Sequence, residues 1–204
     1  MNILLVAATQ AEIQPLLTHF EGEKPFEVLV TGVGMVTTAF ALGQQFAQKK
    51  YDLAINLGIA GSFDHTIALG EVVEVTEDSL AEFGAEDNDQ FLTIEDLGFG
   101  ESVFFASHQL NPMLLLSAKK LRSITVNTVH GEEISIQKIA KRLKPQLESM
   151  EGAAFFYACK RSMVPALQIR SVSNYVEKRN RENWKIGLAV KHLNDFAIEL
   201  LEKL

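Results

Sequence analysis

Short apolar runs rich in Val, Ile and Leu alternate along the chain with segments whose apolar positions recur every three to four residues. These are the two periods of buried strand and amphipathic helix. Asn2–Ala8 reads as a buried strand, and Gln10–Phe20 as a helix with Ile13, Leu16 and Leu17 on one face. Phe26–Gly32 predicts the next strand, closing on Gly32 and Gly34 before a helix through Phe40 and Phe46. Asp52–Gly61, "DLAINLGIAG", predicts a strand that runs into a glycine loop, and Glu71–Glu77 predicts another strand. Residues 77–101 carry nine carboxylates and are punctuated by glycine, which marks a long excursion. Beyond it the pattern predicts a helix near Asn111–Leu121, a strand at Ser123–Val129, helices at Glu132–Leu143 and Glu151–Ser162, and a strand in Val164–Val172. A last helix from Asn183 should turn Ile186, Val190, Leu193, Ala197 and Leu200 inward.

Strands alternating with helices predict an α/β fold, a parallel-rich central sheet with helices on both faces. In such sheets a ligand sits at the carboxyl ends of the strands. Four strand ends are therefore the places to search: Thr9–Glu12, Gly32–Gly34, Gly58–Gly61 and Ser173–Asn174. No internal repeat or linker divides the chain, so residues 1–204 read as one domain, a length that suits a single sizeable core.

Charge and composition remove several classes. The net charge of −7 argues against a nucleic-acid or anionic-membrane surface, because phosphate neutralisation needs clustered Lys and Arg. "MNILLVAAT" lacks the basic flank and length of a signal peptide, and no apolar run reaches the ~18 residues of a membrane span, so a cytoplasmic protein is expected. Cys159 stands alone in an apolar helical context and reads as a buried thiol. His19, His65, His108, His130 and His192 are scattered without metal-ligand spacing. "GVGMVT" has Thr37 where a dinucleotide fingerprint needs its third glycine.

Two glutamates carry more. Glu12 follows the first strand directly, where a carboxylate is also an ordinary partner of a helix N-terminus. Glu151 opens the apolar segment "SMEGAAFFYA", where unpaired burial would be costly, so it must face solvent or hold a partner.

"AATQAEIQPLL", "TGVGMVTTAFALG", "DLAINLGIAGSFDHTIALGEVVEV" and "SMEGAAFFYACKRSMVPALQIRSVSN" follow in an order and at a spacing that resembles the purine nucleosidase/phosphorylase family. The likeness covers most of the chain, residues 77–110 least. "NTVHG" and "SNYVEKRNRENW" narrow it to the futalosine-cleaving members. The resemblance implies a three-layer α/β/α sandwich with a mixed, largely parallel sheet and cleavage of a purine nucleoside without metal or organic cofactor. It also implies a homodimer or larger homo-oligomer, with residues 77–110 a candidate to close a neighbour's pocket. Such a reaction builds oxocarbenium character on the ribose and negative charge on the base, so it needs a donor at the base, carboxylates near the sugar and a positioned nucleophile.

By resemblance, Glu12 matches the carboxylate that activates the attacking water, Glu151 and Met150 the group on the ribose hydroxyls, and Arg170 the arginine beside water and carboxylates. The plain alternative for Arg170 is a strand-end salt bridge to Glu12 or Glu151. Ser173 and Asn174 match the pair facing the purine, and Val129 and His130 lie in the segment that lines it. Asn56 stands where phosphorylases carry a phosphate-binding arginine, which implies water as nucleophile. Asn174 replaces the aspartate of adenine-cleaving relatives; an amide can donate to both the ring nitrogen and the carbonyl of an oxopurine. Ile59 stands where those relatives carry a serine near the water. Arg179 and Arg181, on one side of an extended loop, would suit the carboxylate at the far end of futalosine. The alternative is that one of them pairs with Glu177 or Glu182, while Trp184 anchors the last helix in the core. An adenine-type nucleosidase and a non-catalytic purine-binding module remain the rival readings.

Overall fold

The computed structural model describes residues 1–22 and 24–204, and among them the chain forms ten strands and five α-helices. In order these are β1 (Ile3–Ala7), α1 (Gln10–His19), β2 (Phe26–Val30), α2 (Met35–Gln48), β3 (Leu53–Ser62), β4 (Val72–Leu80), β5 (Gly84–Asp87), β6 (Gln90–Thr93), β7 (Val103–Phe105), β8 (Lys119–Thr125), α3 (Glu133–Leu143), β9 (Leu147–Ser149), α4 (Gly152–Ser162), β10 (Ala166–Tyr175) and α5 (Ile186–Leu201).

β1 is buried along its whole length, as a strand covered on both faces must be. Its side chains alternate between two cores. Ile3, Leu5 and Ala7 join Ile13, Leu16, Leu193 and Ala197 of α1 and α5. Leu4 and Val6 join Leu42, Phe155 and Phe156 of α2 and α4. Of the expected α5 stripe, Leu193, Ala197 and Leu200 are buried and Val190 half-buried, but Ile186 is exposed because the helix begins there, past the edge of the sheet.

The sheet between the two helical faces is mixed, and its pairings close on themselves. β3 pairs parallel with β10, β10 antiparallel with β4, β4 parallel with β8, β8 parallel with β9, and β9 antiparallel with β3. β1 and β2 extend from the first half of β3, and β7 from the second half of β4. The expected sandwich layer is thus replaced by a barrel-like ring. The cause lies in two long strands that change partners midway. One edge of β3 serves β1 at Leu53–Asn56 and β9 at Gly61–Ser62. One edge of β4 serves β10 at Val72–Val75 and β7 at Glu77–Ser79. Register shifts at Val75/Glu77 and Val172/Asn174 supply the bend, as bulges do.

A second expectation fails at Asn111–Leu121. Asn111 caps a single 3-10 turn at Pro112–Leu115, and β8 has begun by Lys119. Leu115 is buried and Leu114 half-buried on the α1/α5 core, so one short turn supplied the apolar spacing of a helix. The acidic excursion folds as the β5–β6 hairpin, held by Arg142 of α3, which lies 3.8 Å over the Phe91 ring and donates to the Ala81 carbonyl.

Pro15 lies inside α1, where its ring disturbs the helical ladder. One turn is repaired from outside. Asn194 of α5, 1% exposed, accepts from Leu16 N–H at 2.9 Å and donates to the Glu12 carbonyl at 2.8 Å. Those two groups are the i, i+4 pair that a regular helix bonds directly. Asn194→Ala should therefore destabilise the protein by about 1–3 kcal/mol in denaturant unfolding, the cost of stranding buried polar groups. A loss within experimental error of zero would show that α1 holds this turn unaided.

Candidate active site

β1, β2, β3 and β10 run parallel and present their carboxyl ends together, so the four strand ends picked out by the sequence lie on one side of the sheet. Glu12 is the third residue of α1, directly after β1. Thr9, at the helix cap, donates to Glu12 Oε2 through its amide at 3.0 Å and its hydroxyl at 2.9 Å. The other oxygen, Oε1, accepts from Ile59 N–H at 3.2 Å and faces Gly58 on β3. Helix capping and site placement are thus one arrangement: one oxygen closes the helix turn and its partner is aimed across the strand ends.

Arg170 enters from β10 and is 1% exposed. Its Nη2 donates to Asn56 Oδ1 at 2.5 Å and to Gln168 Oε1 at 3.1 Å, and lies 3.9 Å from Glu151 Oε2. Its closest partners are two neutral amides, so neither of the salt bridges considered from the sequence is its main anchor. Nη1 packs on Gly58, where any Cβ would collide with it, and Glu12 Oε1 comes up to the same point. Asn56 has its own amide on the Val6 carbonyl at 3.2 Å, which fixes its oxygen toward the guanidinium.

Glu151, 6% exposed, precedes α4. Its Oε1 accepts from Gly34 N–H at 2.9 Å, and Gly34 sits at φ +99°, a conformation that glycine adopts at no steric cost. This resolves the puzzle of a carboxylate opening an apolar helix. It holds the loop before α2 with one oxygen and turns the other toward Arg170. Met150 beside it is half-buried.

Ser173 and Asn174 sit at the bulge of β10 next to Gly61. Ser173 Oγ lies within bonding distance of the Ala60 carbonyl and of Asn174 Oδ1, at 3.2 and 2.8 Å. Asn174 Nδ2 donates to the Tyr175 carbonyl at 3.1 Å, so one of its two hydrogens is committed and one remains for a ligand.

His130 and Val129 lie on the segment after β8, Val129 exposed. His130 is held twice by Glu148 of β9, through N–H at 2.9 Å and through a short Nδ1 contact. Burial pushes the Glu148 carboxyl up from its usual range, against the pull of those hydrogen bonds. Gly131 beyond it accepts from Arg179 N–H at 3.1 Å, joining this segment to the loop after β10. That loop returns to the strand through Lys185 N–H on the Ser173 carbonyl at 2.7 Å.

Arg179 and Arg181 are exposed, and the loop between them is not extended, because Arg181–Asn183 form a 3-10 turn. Both guanidinium groups nonetheless reach the ring of Trp184, at 5.0 and 5.7 Å from its centroid. Among the described residues neither forms an ion pair with Glu177 or Glu182; Glu177 accepts from Asn183 instead. Trp184 is half-buried and serves as a platform for two cations, correcting the expectation of a core anchor.

The sequence profile of the phosphorylase superfamily matches residues 15–204. The chain belongs to this superfamily. Its relatives within the family include a futalosine hydrolase of Thermus thermophilus, 31% identical over 174 residues that span 82% of this chain and 77% of the relative. Two solved structures from Helicobacter pylori share the fold. A futalosine hydrolase superposes with a TM-score of 0.86 at 15% identity, covering 100% of this chain and 98% of that one. A 5'-methylthioadenosine/S-adenosylhomocysteine nucleosidase gives the same score and identity, covering 100% and 99%.

Several residues escaped the sequence reading. Glu148 went unnoticed, as did Gln168 and Asp78, which stand behind Arg170. The available signal was the isolated polar residue in a buried strand, such as Gln168 in "VPALQIR", which must find a partner. Glu148→Ala should free the segment it holds and speed hydrogen exchange at the His130 amide by at least ~10-fold, since that proton would lose the carboxylate that accepts it. Unchanged exchange would show that the segment is held by other contacts.

Proposed function

We propose that the chain is an N-glycosidase that hydrolyses futalosine, releasing hypoxanthine and the dehypoxanthinyl product in the futalosine route of menaquinone biosynthesis. The observation that carries the reading is the meeting of Glu12 Oε1 and Arg170 at Gly58, with Glu151 Oε2 3.9 Å from the same guanidinium and neutral Asn56 bonded to it from β3. Relatives named as futalosine hydrolases support the choice of substrate.

Chemically, Glu12 is preset to take a proton from water. Its Oε2 is occupied by Thr9, so Oε1 is the oxygen that works. Arg170 keeps its charge in a buried setting and helps hold the water and the carboxylates in place. Glu151 grips the ribose hydroxyls, which brings the anomeric carbon over the water. As the bond to the base lengthens, negative charge collects on the purine and positive charge on the sugar. The free hydrogen of Asn174 stabilises the first, and the two carboxylates the second. With Asn56 in place of a cation, nothing at this point of β3 recruits phosphate. A binding module would have no use for a water-activating carboxylate.

The adenine-type reading is supported by sequence relatives named as 5'-methylthioadenosine/S-adenosylhomocysteine nucleosidases. Base release measured on futalosine, inosine and methylthioadenosine, with and without phosphate, separates the readings. Futalosine should be cleaved best, phosphate should neither accelerate the reaction nor appear in the sugar product, and Glu12→Gln should lower turnover ~10²–10⁴-fold. Preference for methylthioadenosine would establish the rival, and a phosphorylated sugar as main product would make the protein a phosphorylase.

The paired cations on Trp184 extend the reading to the far end of the substrate, a carboxyphenyl ketone. A guanidinium binds a carboxylate bidentately, and the aromatic ring fixes both side chains at small entropic cost. Arg179→Ala or Arg181→Ala should raise KM for futalosine by the equivalent of about 1.5–3 kcal/mol, a charged hydrogen bond. Inosine, which lacks the acid, should be cleaved much as before. Futalosine kinetics unaltered in both variants would place the carboxylate elsewhere.

A further inference from the structure

Arg170 is only the last member of a buried chain of donors, each with its direction fixed. Arg170 Nη2 donates to Gln168 Oε1, so the Gln168 amide must turn its Nε2 outward, where it donates to Asp78 Oδ2 at 2.9 Å. The other oxygen of Asp78 accepts from Thr125 Oγ at 2.8 Å, and Thr125 Oγ accepts from Ala153 N–H, in the first turn of α4, at 2.7 Å. Asp78, Gln168 and Thr125 are each 0% exposed. Every donor in the chain runs toward Asp78. The carboxylate is the one group that can end it, because it accepts on both oxygens. Gly152 completes the packing: a Cβ there would collide with both Asp78 Oδ2 and Gln168 Oε1, so only glycine lets the start of α4, which carries Glu151, settle on the network.

We propose that Asp78 is a positioning residue for the glycosidic reaction, setting the Arg170 guanidinium through Gln168 and the Glu151 turn through Thr125 and Ala153. This rests on the catalytic reading of Arg170 and Glu151 given above. Asp78 does not touch the site itself. It fixes which way the Gln168 amide faces, and with it whether Arg170 meets an oxygen or a repelling N–H. The groups around Asp78 are Ser123 and Thr125 from β8, Phe104 paired across from β7, Gln168 from β10 and Gly152 from α4. The charge that reaches it is Arg170, with Glu151 beyond. Burial pushes the Asp78 carboxyl up to about 6, against the hydrogen bonds that favour the anion. Protonation below that pH puts a hydrogen where the chain requires an acceptor.

Asp78→Asn leaves one donor facing another at Gln168 or, with its Nδ2 turned to Thr125 Oγ, strips the Thr125 hydroxyl of its acceptor. We expect kcat to fall about 10²-fold, the effect of displacing catalytic groups by an ångström, with KM little changed. Acid should mimic the substitution, so the wild-type kcat should decline with a midpoint near pH 6 that is missing from Asp78→Asn. The decisive variant moves the charge by one place. In Asp78→Asn with Gln168→Glu the carboxylate at 168 accepts from both Arg170 and the amide at 78, all directions are restored, and kcat should return to within about tenfold of wild type. A structural role alone would not be rescued by this exchange. Should the single variant not fold, the double variant is compared with wild type directly. Wild-type kcat in folded Asp78→Asn, a decline near pH 6 that persists in it, or a folded double variant more than about tenfold slower than wild type would each overturn the proposal. A wild-type protein that releases no base from any purine nucleoside would instead refute the catalytic reading. In that case the crystal structure of Asp78→Asn still decides: either Gln168 should be turned over with Arg170 withdrawn from Asn56, or Thr125 should be turned away with the Glu151 turn displaced, and unmoved side chains on both arms would rule the relay out.

Discussion

A guanidinium buried to 1% exposure keeps its charge at any physiological pH, and burying a charge without partners is prohibitive. Much of the centre of this fold follows from that one constraint. Asn56, Gln168, Asp78 and Thr125 lie on four different strands, and each turns an oxygen or a directed amide toward Arg170 or toward a group that holds it. The wall against Nη1 is a glycine because nothing larger fits. Glu151 contributes a carboxylate oxygen at 3.9 Å, which compensates the charge without quenching it in a tight pair. The ring of strands makes this convergence possible: with β10 between β3 and β4, residues far apart in sequence line one interior.

The same network weakens what it organises. A carboxyl raised to about 6 in the fold, against 3.8 for the free side chain, binds its proton more tightly when folded. By linkage, Asp78 therefore favours folding at acid pH and loses that contribution as pH rises through the interval between the two values. At neutral pH the anion is retained although burial opposes it. Such a residue, fully buried in a strand that also buries Val73 and Val75, is difficult to justify by stability alone.

The sequence made the repeating elements legible because burial imposes a period. β1, β3 and β10 are apolar runs whose neighbours are helices with a clear stripe, and their strand ends fall where the pattern put them. Asn111–Leu121 was misread because one short turn anchored by Leu115 carries the same short apolar spacing as a helix. Ring closure was invisible for a different reason: pairing β10 with both β3 and β4 depends on bulges and partner exchange, which leave no local mark. Glu12 and Glu151 stood out as isolated polar residues beside apolar runs, whereas resemblance alone picked out Arg170 and suggested that the three belong together. Gln168 and Asp78 carried the same mark without a familiar motif. The stacking of Arg179 and Arg181 on Trp184 required knowledge of the turn at Arg181–Asn183, which spacing alone did not supply.

β10 occupies the middle of the ring although it is the last strand in the sequence. Its partners β3 and β4 are separated from it by about half of the chain, so the pairings that seat Arg170 have high contact order, and long-range pairing is slow to form. During synthesis on the ribosome, β3 and β4 emerge well before the strand that must lie between them. Until it arrives each presents an open edge where the finished protein has none, the kind of edge to which other chains add. The arrangement that fixes the buried arginine thus also fixes when the nascent chain is most exposed to misassembly.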